Sequence, residues 1–222
     1  MKFILTLLVI SVCIVSSCNK EGAIKADTGC IERKIIPVHV HSINVADAAV
    51  ADNLFKSNNI NNSKYRYYQY VHDSVQTYFP PYEKFDEIVV KVDEYTNGLR
   101  IFTSQLFFGF KNNAFNFKSG EPTKGTTLNN ISKLSLKQLR KAFIDNCEQF
   151  DHNGSKYKDS CLSAEFGYFN TNFATGNTKE NLVKAWRITL KGSIYPSEYP
   201  QACYNDETGK LIYYDNRIRT VR

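Results

Sequence analysis

Two connections in this chain are too short to be anything but hairpin turns, and they restrict the fold more than any other feature. Lys111, Asn112 and Asn113 separate the apolar and aromatic runs Leu99 to Phe110 and Ala114 to Phe117, while Asp206 to Gly209 separate Ala202 to Asn205 from Leu211 to Tyr214. A crossover between parallel strands needs about a dozen or more residues, so strands joined this closely pair antiparallel. The same alternation marks Tyr65 to Val71, Val75 to Phe79 before Pro80 and Pro81, Ile88 to Val92 before the Asn97-Gly98 turn, Leu162 to Phe169, and Ala185 to Leu190. A short strand is also expected over Ile35, Ile36, Val38 and Val40.

Helical spacing occurs twice. Asn44 to Phe55 is rich in alanine, and Ser135 to Cys147 places Leu136, Leu139, Phe143 and Ile144 on one face behind a serine suited to capping. Strand, helix, strands, helix, strands is the order of an α+β protein with helices laid on antiparallel sheets. Glu121 to Asn130, rich in Gly, Thr, Asn and Pro, is the best internal boundary. The expected units are 31–120 and 128–222.

The first residues do not belong to that fold. Lys2 precedes an apolar run from Ile4 to Val15, shorter than the roughly 20 residues of a spanning helix, and small residues follow it. Ile14, Val15, Ser16, Ser17, Cys18 resembles the lipobox of bacterial lipoproteins. That resemblance implies a signal peptide over 1–17, cleavage before Cys18, lipid such as palmitate on Cys18, and a tether over 18–30. The expected location is the bacterial cell envelope, on the inner membrane, outer membrane or cell surface, with the lipid as the contact to the membrane.

An exported chain meets conditions that permit disulfides. Cys13 falls in the signal, which leaves Cys30, Cys147, Cys161 and Cys203. Four cysteines allow three pairings, and the sequence does not choose among them. The expectation is Cys147 with Cys161 across the polar loop Asp151 to Ser155, with Cys30 and Cys203 joined by default.

No chemistry beyond binding is signalled. The chain carries a net charge of +6 with both signs interspersed, which gives no basic stripe for nucleic acid. There is no C-x-x-C or H-E-x-x-H, and His39, His41, His72 and His152 are scattered, so neither a metal nor another cofactor is expected. His39 and His41 would share a strand face but supply only two ligands. Asp151, Asn153 and Ser155 alternate like the start of a calcium loop but lack its later glycine and glutamate, and read as a turn. Without a G-x-S-x-G elbow there is no sign of a nucleophile, and no enzyme is expected. Tyr65, Tyr67, Tyr68 and Tyr70 could instead form an aromatic stripe for a small ligand or glycan, with Tyr67 and Tyr70 as its candidate contacts, although such runs more often face a core. Trp186 shares a face with Ile188 and Leu190 and is expected in the core, with Arg187 pointing away.

Two stretches carry a further resemblance. Asn97 to Lys111, beginning Asn97, Gly98, Leu99, Arg100, Ile101, Phe102, is similar to the fungalysin/thermolysin propeptide pattern, in which such a segment enters a strand that turns and returns. Ala185 to Thr189, with Tyr199 to Asn216 and its Asp206, Glu207, Thr208, Gly209, Lys210, Leu211 turn, resembles the strand and hairpin of a PepSY domain. The resemblance implies cystatin-like units, each a helix on an antiparallel sheet. It also implies a protein-binding module that inhibits, or assists the folding of, an exported thermolysin-like peptidase or binds another envelope protein. A propeptide normally precedes its peptidase, whereas the PepSY-like pattern here runs to Arg222, so a module without a peptidase domain is expected.

Overall fold

The computed structural model describes residues 27–173, 179–193 and 199–216. In chain order the elements are β1 (Ile31–Lys34), α1 (Val45–Ser57), β2 (Tyr65–Gln76), β3 (Lys84–Thr96), β4 (Leu99–Arg100), β5 (Leu106–Lys111), β6 (Ala114–Ser119), α2 (Leu136–Asp151), α3 (Gly154–Tyr157), β7 (Leu162–Asn170), β8 (Leu182–Leu190), β9 (Gln201–Asn205) and β10 (Leu211–Asp215). They form two sheets: β2-β3-β5-β6, with β4 appended to β3, and β1-β7-β8-β9-β10. The protein is α+β, and every strand pair is antiparallel except β1 with β7.

The hairpins follow from their turn residues. Asn97 and Gly98 take φ of 49° and 74°, and Asn112 and Asn113 take 49° and 67°. Two consecutive left-handed residues give the turn whose twist matches paired strands, and Asn and Gly reach that region most easily.

Helix α1 starts at Asn44, whose Oδ1 accepts from the Asp47 amide at 2.8 Å. It lays Ala51, Leu54 and Phe55 on Tyr65, Tyr67, Val90, Val92, Phe108 and Phe110. Phe55 is fully buried and touches four aromatic rings. Helix α2 opens with a capping box: Ser135 Oγ accepts from Gln138 N and Gln138 Oε1 accepts from Ser135 N. Its Leu139, Phe143 and Cys147 lie one turn apart and pack on Ala164, Phe166, Trp186, Ile188, Ala202 and Tyr204. Trp186 is thus core, as its pattern indicated. Arg187, on the opposite face, is also buried, because the chain between β4 and β5 covers that side of the sheet with Phe102.

Several expectations change. Ile35 to Val40 is not a strand; the strand lies just before it, at β1, and Pro37 has no amide hydrogen to give a ladder. Because β1 pairs with β7, the first residues of the expected unit 31–120 belong to the other sheet. The run Leu99 to Phe110 is broken at Ile101 to Gln105, where Phe102 N donates to Tyr168 O at 2.9 Å and links the two sheets. The boundary segment is pinned: buried Glu94 accepts from Thr123 N and Oγ1, and Asn97 Nδ2 donates to Thr126 O and Leu128 O.

Residues 27–30, expected in a tether, pack against the fold. Buried Arg140 of α2 pairs with Asp27 and donates to the carbonyls of Cys30, Lys158 and Ser160, so residues 27–30 are held against α2 and the segment before β7. Gly29 is required there, since a Cβ would lie 2.3 Å from Ser160 O. Beside this clamp Cys30 is bonded to Cys161, which overturns the expected pairs Cys147–Cys161 and Cys30–Cys203. Cys147 and Cys203 are free and buried on opposite faces of one sheet, and burial pushes their thiols up to about 11 and about 12. The expected pairings assumed that cysteines flanking a loop meet; α2 instead points Cys147 into the core.

His41 closes the open edge of β2. Tyr67 N donates to His41 Nδ1 at 3.0 Å, and the two rings stack 4.3 Å apart. Burial first, and then Arg66 and His39, hold the imidazole below its ordinary pKa of 6.5, while Asp52 opposes them. A depressed folded value means that the contribution is present above 6.5 and lost as pH falls through the lower value. Acidification below that point should cost about 1 kcal/mol at this contact, the worth of one hydrogen bond. His41→Asn should flatten this part of a pH series of urea melts; an unchanged slope would refute the assignment.

Candidate binding site

The candidate ligand contacts Tyr67 and Tyr70 do not form an exposed surface. Register shifts between Tyr67 and Gln69, and the extra residue Tyr68 turns both tyrosines to the face shared with Val92 and Val90. Tyr67 is fully buried, its hydroxyl donating to Asp52 Oδ1 at 2.7 Å and accepting from Asn62 Nδ2 at 2.6 Å, and Tyr70 packs on the same cluster. Tyr67 is a core residue and Tyr70 is half-buried against it. Cys18 lies outside the described residues. Among the described residues no three His, Cys, Asp or Glu side chains gather as a metal site, and no helix is long and apolar enough to cross a membrane. His39 and His72 are exposed; Asp151 ends α2, Asn153 precedes α3 and Ser155 lies in α3.

The most exposed aromatic residues among those described lie elsewhere. β5 pairs with β3 only as far as Glu87, while β2 and β3 continue together to Gln76 and Lys84. The remainder is a two-stranded ribbon extending beyond the sheet. Thr77 organises its tip: Thr77 N donates to Glu83 O, Thr77 Oγ1 donates to Pro81 O at 2.8 Å, and Glu83 N donates to Thr77 Oγ1 at 2.9 Å. Tyr78, Phe79 and Tyr82 are 93%, 79% and 64% exposed. The sequence signal was the aromatic residues flanking Pro80 and Pro81, which read only as a strand end.

A second feature lies where the sheets meet. Arg66 of β2, Asp93 of β3, Arg100 of β4, Glu165 of β7 and Arg187 of β8 form a buried ladder of charge. Asp93 bridges Arg66 at 2.8 Å and Arg100 at 2.6 Å, and Glu165 bridges Arg187 at 2.7 Å and Arg100 at 3.8 Å. Burial raises the Glu165 carboxyl, but the charges of Arg187 and Arg100 and the Arg187 hydrogen bond outweigh it and hold the group below the usual carboxylate value. Two cavities open onto the ladder. One of about 110 Å³ is lined by Arg33, Lys34, Tyr95, Arg100 and Glu165, and one of about 270 Å³ by Lys34, Ile36, Val40, Arg66, Arg100 and Arg187. The only hint in the sequence was an arginine alternating with apolar residues on β8.

No protein-family model, no curated protein and no solved structure matches the chain.

Proposed function

We propose that this chain is a non-catalytic, lipid-anchored binding module of the bacterial cell envelope that docks onto an exported protein through the tip of its β2–β3 ribbon. The observation that carries this reading is the exposure of Tyr78, Phe79 and Tyr82 together at the end of a projecting ribbon. Large apolar rings held in water on a rigid support favour insertion into a partner's pocket, and aromatic residues dominate such contacts. The packing of α1 on one sheet and of α2 on the other supports the cystatin-like reading of each unit. The resemblance to propeptide and PepSY modules names the partner class, an exported thermolysin-like peptidase, which the module would inhibit or help to fold. The glycan reading has less support, because Tyr67 is in the core and Tyr70 is half-buried against it.

Capture from the native envelope tests the docking. Replacing Tyr78, Phe79 and Tyr82 together by Ser should weaken retention of the partner at least about a hundredfold, since each aromatic anchor in such a contact is worth about 2 kcal/mol or more. The melting temperature should hold, because none of the three is packed in the core. Equal retention by the variant would overturn the reading. Anchoring has its own test: Cys18→Ser should move the protein from the membrane fraction to the soluble fraction, and unchanged fractionation would refute the lipid.

A further inference from the structure

We infer that the paired cavities at the junction of the two sheets form a binding site for an organic oxyanion, a carboxylate or phosphate group attached to an apolar body. This site is distinct from the ribbon tip and does not depend on the docking reading. Three observations converge on it.

The first is charge. Arg33, Lys34, Arg66, Arg100 and Arg187 line the two cavities, whereas the carboxylates of the ladder are Asp93 and Glu165. Cations outnumber anions among these described residues. Asp93 and Glu165 also fix the guanidinium groups of Arg66, Arg100 and Arg187, so a ligand meets a positive field already in place, which lowers the ordering cost of binding.

The second observation is Tyr95. It lines the smaller cavity, is 4% exposed, and its hydroxyl has no hydrogen-bond partner among the described residues. A buried O–H without an acceptor costs free energy, and an oxyanion bound in this cavity would supply that acceptor.

The third is shape. The cavities share Lys34, Ile35, Ile36 and Arg100, so a charged head beside Tyr95 and Arg100 continues into the larger space along Ile36 and Val40. A polar end with an apolar wall selects an amphipathic acid over a bare ion.

Calorimetric titration of the full chain with hexyl phosphate, hexanoate and hexanol, at low and high salt, tests the site. Saturable binding of hexyl phosphate or hexanoate is expected, weakening with salt, with a rise in melting temperature and no binding of hexanol; the tighter acid identifies the headgroup. Tyr95→Phe removes only the hydroxyl and should weaken the acid about tenfold, the value of one hydrogen bond to a charged group, without lowering the melting temperature of the free protein. Lys34→Gln, outside the core clusters, should weaken it by a similar factor. Absence of saturable acid binding, hexanol binding as tightly as the acids, or full affinity in both variants would overturn the inference.

Discussion

Replacing Glu165 by Gln is expected to lower the free energy of unfolding by about 3–5 kcal/mol, the cost of removing one partner from a buried ion pair. The substitution preserves shape and removes only the charge between Arg100 and Arg187. All three side chains are nearly buried, at 5%, 4% and 7% exposure for Arg100, Glu165 and Arg187, so water cannot take over the role of the carboxylate. The pH response has a definite sign. The folded carboxyl titrates below its ordinary value of 4.5, so its contribution is present above 4.5 and lost as pH falls through the lower folded value. Urea melts of the wild type should show this acid-dependent loss, and the Gln variant should lack it. A change below about 1 kcal/mol would place Glu165 among exposed pairs, whose median worth is that small.

Asp206→Ala should be comparably severe. The side chain of Asp206 is fully buried and accepts from Lys133 N at 2.9 Å, Leu134 N at 3.1 Å and the Trp186 indole at 2.9 Å, with Lys184 at 3.6 Å. It joins the end of β9, the segment entering α2 and the core tryptophan. Truncation leaves these three N–H donors without their acceptor, a loss of about 3–5 kcal/mol, while Lys184 keeps Glu207 at 2.8 Å. Asp206→Asn keeps one acceptor oxygen and should cost about half as much. Trp186 is the only tryptophan, so its fluorescence reads both unfolding and the lost indole contact. Wild-type stability in the Ala variant would show that the turn, rather than the carboxylate, holds this junction.

Asp206 also shows how sequence and structure divide the account. The motif from Asp206 to Leu211 was legible as a hairpin turn, because Gly209 and the flanking alternation carry local conformational preferences. That its first residue is a buried hub was not legible, because its partners at 133, 134 and 186 are brought to it only by the packing of α2. Tyr67 makes the same point in reverse. The run of tyrosines left open either a ligand stripe or, more often for such a pattern, a core face; a single bulged residue sets which side chains face α1, and Tyr67 lies in the core.

The sequence by itself determined the hairpins, the two longer helices and the Ser135 cap of the second, the core faces of β8 and α2, and thereby the α+β class, because turn conformation, capping and periodicity are local properties within a few residues. Only the tertiary structure decided which cysteines bond, that β1 joins the second sheet in parallel, that arginines from three strands share two carboxylates, and that the three most exposed aromatics among the described residues gather on a ribbon tip. These features join residues separated by up to 131 positions, as Cys30 and Cys161 are. Such contacts form only when whole elements pack, and the free energy that selects among them belongs to the burial of faces rather than to any segment's own preference.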